Sequence, residues 1–136
     1  MSWSALKEVV SGGCELGAHT MTHPDLTVLR LADAEREMCE SRSEIEQRIG
    51  SPVRSFAFPY GAVNGKVRAL AQAQFQRACG TRLDLITTGA ANDCLPRVDA
   101  YYLRGPLDLK HLLEPSGRLR LAVRRWAREA RQCLSR

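Results

Sequence analysis

The sequence predicts an α/β fold built around a parallel sheet. Segments with helical spacing of apolar residues alternate with short apolar runs of strand type, giving the order α-β-α-β-α-β through most of the chain. The two most distinctive short motifs, His19-Thr20-Met21-Thr22-His23-Pro24 and Pro59-Tyr60-Gly61, each come directly after a strand candidate. Parallel α/β folds collect their ligands at the carboxyl ends of strands, so both motifs fall where such a fold places chemistry. The 136 residues suffice for one domain with a modest core, but fall short of the roughly 250 residues of a complete β/α barrel.

Residues 2–11 read as a helix capped by Ser2 or Ser4, with Trp3, Leu6, Val9 and Val10 on one face and Gly12-Gly13 ending it. Residues 14–18 form the first strand candidate, and 25–31 a loop. Residues 32–49 give the clearest helix before the C-terminal end: Asp33 lies near its start, Gly50 follows it, and Ala34, Met38, Ile45 and Ile49 make a stripe weakened by Ser41. Residues 53–58 follow as a strand, with Phe56 and Phe58 on one face. Pro59-Tyr60-Gly61 is a turn, and Asn64 caps a helix running to about Phe75. Residues 77–79 and 85–87 are strand candidates around a Gly80 turn, 88–96 is a loop, and 97–103 is either another strand or an extended segment. Gly105-Pro106 is a break, 109–113 a helical turn, and Pro115-Ser116-Gly117 opens a final helix over 118–134.

An apolar content of 44% argues for a folded chain. The net charge of +5 is local, because Arg118, Arg120, Arg124, Arg125, Arg128, Arg131 and Arg136 crowd the C-terminal end. The five cysteines (Cys14, Cys39, Cys79, Cys94 and Cys133) are odd in number and lack C-x-x-C spacing. That pattern argues against a disulfide framework or zinc knuckle, and for thiols in a reducing compartment. No apolar run approaches the length of a membrane span, and the first residues lack a signal-peptide pattern. A cytoplasmic location is therefore favoured for the chain as written.

His19 and His23 stand four residues apart, so a single helical turn would bring both imidazoles to one metal ion. Taken alone, the spacing also fits two histidines in an ordinary polar turn. The wider set of residues is more specific. Gly12-Gly13-Cys14-Glu15-Leu16-Gly17 precedes the histidines, Asp25-Leu26 follows them, and Phe56-Ala57-Phe58-Pro59-Tyr60-Gly61 comes later. In this order the motifs resemble the polysaccharide deacetylase family, the NodB-homology domain.

The resemblance implies an incomplete (β/α) barrel of the deacetylase type that lacks its first strand. It also implies metal-dependent removal of acetyl groups from N-acetylated or O-acetylated sugars. His19 and His23 would bind a divalent metal, zinc by the family's habit. Pro59, Tyr60 and Gly61 would line the substrate groove, with the Tyr60 N–H facing the oxyanion and its ring flanking the sugar. The expected partner is an acetylated polysaccharide or oligosaccharide rather than nucleic acid, and the exposed sheet edge beside residues 14–18 invites self-association.

Several family features are missing. The T-F-D-D motif, which supplies the third metal ligand and the catalytic base, has no counterpart before His19, where the only acids are Glu8 and Glu15. Ala57 stands where many members carry arginine. The late L-x-x-H motif is unmatched, because Asp108 precedes His111 at the leucine position. The resemblance is close over residues 3–61 and looser to about 103. Residues 1–115 are accordingly read as a partial deacetylase-like domain and 116–136 as a basic amphipathic helix. Two other readings stay open: a non-catalytic remnant with residual metal or glycan binding, and a basic interaction module using the C-terminal helix. In the bland reading of that helix, the Leu119, Val123, Trp126, Ala130 and Leu134 stripe packs on the domain.

Overall fold

The computed structural model describes residues 2–100 and 109–134. Its elements are α1 (Trp3–Ser11), β1 (Gly17–Ala18), α2 (Leu31–Ile49), β2 (Ser55–Ala57), α3 (Gly65–Gln74), β3 (Arg77–Cys79), α4 (Leu109–Leu113) and α5 (Pro115–Leu134), with short 3₁₀ turns at Leu26–Val28 and Pro59–Gly61. Two compact units divide them. One comprises the residues up to Gly80 with Ala91–Leu95; the other comprises Thr81–Ala90 with the residues from Pro96 onward.

The first unit holds the sheet. Its three strands run in the order β1-β2-β3 and all pair in parallel, with Gly17 opposite Ser55 and Phe56 opposite Ala78. Parallel neighbours need crossover connections, and α2 and α3 supply them. The expected mixed α/β fold with a parallel sheet is therefore present, as an open sheet. β1 stands at one edge. A Cβ on Gly17 would meet the Ser55 carbonyl at 3.2 Å, so this edge strand approaches β2 closely because residue 17 lacks a side chain. The other edge is extended by Leu95, which bridges Cys79 in parallel.

Helix boundaries follow their caps. The Ser2 hydroxyl accepts from Ala5 N–H at the start of α1, and Asn64 Oδ1 accepts from the N–H groups of Lys66 and Val67 at the start of α3. Gly50, at φ 78°, closes α2 in the left-handed conformation, its N–H donating to the Glu46 carbonyl. Arg42 reaches from α2 to donate to the Gln74 carbonyl at the end of α3.

The core forms where α2 and α3 cover the sheet. Ala34 and Met38 from α2, Val67 and Ala71 from α3, and Phe56, Phe58, Ala78 and Phe75 are all buried. Phe56 stacks on Phe75 with ring centroids 5.0 Å apart and meets Phe58 edge-on at 5.3 Å. Ser41 is buried within the α2 stripe, where its hydroxyl donates to the Met38 carbonyl. Asp93 ties the 91–95 segment to α3: it accepts two hydrogen bonds from Arg68 and one from Gln72.

The sequence expectation differs from the structure at several places, among them the strand expected at 53–58, which shortens to Ser55–Ala57, and the final helix, which begins at Pro115. Val9, expected on the inner face of α1, is exposed. The strand expected at 14–18 shortens to Gly17–Ala18. Residues 85–87 form no strand; of the two readings left open for 97–103, no strand forms over 97–100, while 101–103 and the Gly105-Pro106 break lie outside the described residues. A further point concerns α5 in the second unit. Of the stripe that one of the open readings packs on the domain, Leu119, Val123 and Trp126 are exposed. The helix is held by another face: Leu121 is buried and Arg125 pairs with Asp84.

Candidate metal and substrate site

The histidine turn leaves the carboxyl end of β1, and the Pro59-Tyr60-Gly61 turn leaves the carboxyl end of β2. Because β1 and β2 are hydrogen-bonded neighbours running the same way, the two turns emerge side by side. His19 and His23 have their Nε2 atoms 3.1 Å apart. Two nitrogens each about 2.0–2.1 Å from one tetrahedral ion would stand roughly 3.3 Å apart, so this spacing suits a shared metal. The rings meet edge-on, with centroids at 4.8 Å.

The other ring nitrogen of His19 is also engaged. Its Nδ1 lies 2.7 Å from the Ala57 carbonyl, to which the Nδ1–H donates. In a neutral ring that bond leaves Nε2, the atom that faces His23, as the one with the lone pair. Metal-binding histidines are characteristically oriented in this way by a backbone carbonyl or carboxylate. Ala57, notable in the sequence for not being arginine, therefore contributes its backbone.

Left-handed backbone concentrates here. The non-glycine residues with positive φ among those described are Thr20 at 67°, His23 at 59° and Tyr60 at 58°. For a β-branched residue such as Thr20 this is a strained conformation, costing on the order of 1–3 kcal/mol. The turn persists because its polar groups are tied down. The Thr20 hydroxyl oxygen accepts from His23 N–H at 3.1 Å. Glu37, on α2, takes three further bonds: Oε2 accepts from the N–H groups of Met21 and Thr22 at 2.8 and 2.9 Å, and Oε1 from the Thr22 hydroxyl at 2.7 Å. Burial opposes ionisation of Glu37, but these donors outweigh it and hold its carboxyl below the ordinary glutamate value.

The sequence reading missed Glu37, and a signal for it existed. It lies three residues after Ala34 and four before Ser41, both buried, so it borders the packed face of α2 rather than pointing away.

The Tyr60 ring packs edge-on against His23 with centroids 4.6 Å apart, yet the residue is 68% exposed. It thus forms a wall beside the imidazoles with a free outer surface. Pro59 is buried, and the turn closes through Gly61 N–H to the Phe58 carbonyl and Ala62 N–H to the Pro59 carbonyl. Both histidines are exposed, so the site is an open shelf. A cavity of about 670 Å³ lined by Leu26, Thr27, Arg30, Asn64 and Lys66, among others, contains neither histidine.

Among the described residues no group of three His, Cys, Asp or Glu side chains converges. The residues present therefore fit a divalent ion as two nitrogen donors. The aspartates of the first unit are engaged with other partners. Asp25 Oδ1 accepts from the Thr27 N–H and hydroxyl, which hold its pKa down. Asp93 is clamped by Arg68 and Gln72. Asp99 lies in the second unit, beside Arg97 in the lining of a small cavity.

The sequence profile of the polysaccharide deacetylase family matches residues 1–78. A polysaccharide deacetylase from Bacillus cereus is similar in structure, with 31% identity and a TM-score of 0.66, covering 72% of this chain and 32% of its own. A deacetylase from Streptococcus pyogenes, solved with acetate, superposes with a TM-score of 0.77 at 21% identity, over 85% of this chain and 51% of its own. A CE4 family pseudoenzyme from Bacillus anthracis aligns at 25% identity and a TM-score of 0.55, covering 60% of this chain and 29% of its own. The chain thus spans about a third of the length of the Bacillus structures and about half of the streptococcal one. Among curated proteins none matches.

Proposed function

The chain belongs to the polysaccharide deacetylase family, and from that premise we propose that it forms the metal- and sugar-binding part of a hydrolase that removes acetyl groups from N-acetylated or O-acetylated polysaccharides. The observation that carries this reading is the pair of facing Nε2 atoms at 3.1 Å, with His19 oriented by the Ala57 carbonyl. His19 and His23 would hold a divalent ion, with zinc the expected choice for imidazole donors. Such an ion, when bound, polarises the acetyl carbonyl and makes water more acidic.

The chain's own residues would do the rest of the positioning. Glu37 and Thr20 keep the strained turn that points the imidazoles at one place. The exposed face of Tyr60 would flank the sugar ring, and its backbone N–H would donate to the oxyanion, as the family resemblance implies. Pro59 and Gly61 fix that turn. Self-association through the β1 edge is part of the same reading, since among the described residues β1 pairs on one side only.

A second reading is favoured by a specific observation. Among the described residues no carboxylate joins the two histidines in a group that could hold a metal ion, and the general base that water activation needs contributes roughly 10²–10⁴-fold. A chain of this kind would bind metal and acetylated glycan without turnover, and one structurally similar protein is itself described as a pseudoenzyme. Acetate release from an acetylated chito-oligosaccharide, with added zinc or cobalt, separates the two. The expected result is metal binding with little or no acetate released. Robust turnover that disappears in His19→Ala would contradict the second reading, and Asp25, Asp93 and Asp99 would then be the first positions to mutate.

A further inference from the structure

α5 is a 20-residue helix whose apolar stripe is exposed at Leu119, Val123 and Trp126. Leu119, Val123 and Trp126, spaced i, i+4, i+7, are 66%, 58% and 72% exposed, while Leu121 on another face is buried. Exposed tryptophan beside exposed leucine and valine on one helix face is an apolar strip left uncovered in water. Arg120, Arg124 and Arg131 fall along one flank of the strip at spacings of four and seven residues, and all three are exposed. Glu129 is the only acid in the helix.

We propose that this face of α5 docks on an anionic phospholipid surface. An interfacial helix needs apolar side chains that enter the acyl boundary and cations that remain level with the phosphates, and α5 carries both in register. Trp126 suits the interface, where its ring is buried and its N–H stays hydrated. The helix lies on the bilayer rather than across it, because no described helix is long and apolar enough to span a membrane. Two other occupants fit less well. A nucleic acid would use the arginines but offers no apolar partner for Leu119 and Val123. A second copy laying the same strip against itself would bring two arginine rows together, and like charges oppose that contact.

The test uses the full chain carrying Trp3→Phe, so that fluorescence reports Trp126. Phosphatidylcholine vesicles with and without phosphatidylglycerol are the probe. The expected result is flotation with the anionic vesicles, a blue shift of Trp126, and weakening as salt is raised. Leu119→Glu with Val123→Glu should lower the partition by at least about tenfold while circular dichroism stays unchanged. Should that variant lose helix, Arg120→Gln with Arg131→Gln, which leaves the strip intact, should show the same selective loss for anionic vesicles. Absence of binding to anionic vesicles would overturn the proposal. So would equal binding by the variants, tighter binding to single-stranded RNA than to vesicles, or a dimer that the Leu119 and Val123 substitutions dissociate.

Discussion

The histidine turn and α5 make opposite use of the surface. Around His19 and His23 the exposed groups are over-determined: Glu37, Thr20 and the Ala57 carbonyl hold each part of a turn that contains two left-handed non-glycine residues. Beneath it lies the aromatic core of Phe56, Phe58 and Phe75. On α5 the exposed Leu119, Val123 and Trp126 lie beside exposed arginines, and Leu121 and the Arg125–Asp84 pair are among the contacts that hold the helix within its own unit. The first region is organised for fixed geometry, and the second leaves its apolar face uncommitted. The contrast shows that exposure by itself does not mark a site. What distinguishes the turn is polar restraint on strained backbone, since such strain persists only where surrounding structure enforces it.

Substitutions should expose this contrast most strongly in the core. Phe56→Ala removes a ring stacked on Phe75 and edge-on to Phe58, and is expected to destabilise the first unit by about 3–5 kcal/mol. Chemical denaturation followed by near-ultraviolet circular dichroism measures it. A loss under about 1 kcal/mol would mean that the sheet does not depend on this cluster.

Glu37→Gln should weaken divalent-metal binding by roughly tenfold or more, as loss of a supporting partner does at other metal sites. The amide retains an acceptor for the Met21 and Thr22 N–H groups but loses the charge and one acceptor. Thermal unfolding should move little. Unchanged metal affinity would show that the turn holds its shape without the carboxylate.

A smaller effect is expected from pH. The hydrogen bonds and charge of Arg68 hold the Asp93 carboxyl below the ordinary aspartate value, against its burial. A group whose pKa is depressed on folding stabilises the protein above its unfolded pKa, and that contribution is lost as pH falls through the folded value. The thermal midpoint should therefore drop as pH falls below about 4, and Asp93→Asn should flatten that drop. Parallel profiles for the two proteins would place the acid sensitivity elsewhere.

The smallest expected effect is at α5. Val123→Ser should change the stability of the chain by no more than about 0.5 kcal/mol, because Val123 is exposed. A large loss of stability would show that the stripe is covered after all.

Much of the first unit was legible because its signals are local. Ser2, Asn64 and Gly50 mark helix ends through caps that act within a few residues. Phe56 and Phe58 alternate as a strand requires, and the histidine spacing could be read directly. Glu37 was not found, because its partners Met21 and Thr22 lie on another element and its spacing says only that it borders the buried face. The outward stripe of α5 stayed open for a related reason. Amphipathicity identifies an apolar face, but nothing in the helix says whether its own unit covers that face. Residues 85–87 have apolar character but pair with no strand among the described residues, so composition alone suggested a strand that the backbone does not form.

The central claim is that His19 and His23 act together on one divalent ion. Calorimetric titration of zinc into the chain, and into His19→Ala and His23→Ala, tests it most directly. The account predicts that the unaltered chain binds a single ion and that either substitution removes most of that affinity, with the thermal midpoint of the unaltered chain alone rising with zinc. Equal affinity in all three proteins would contradict it, because the facing imidazoles would then have no part in holding the metal.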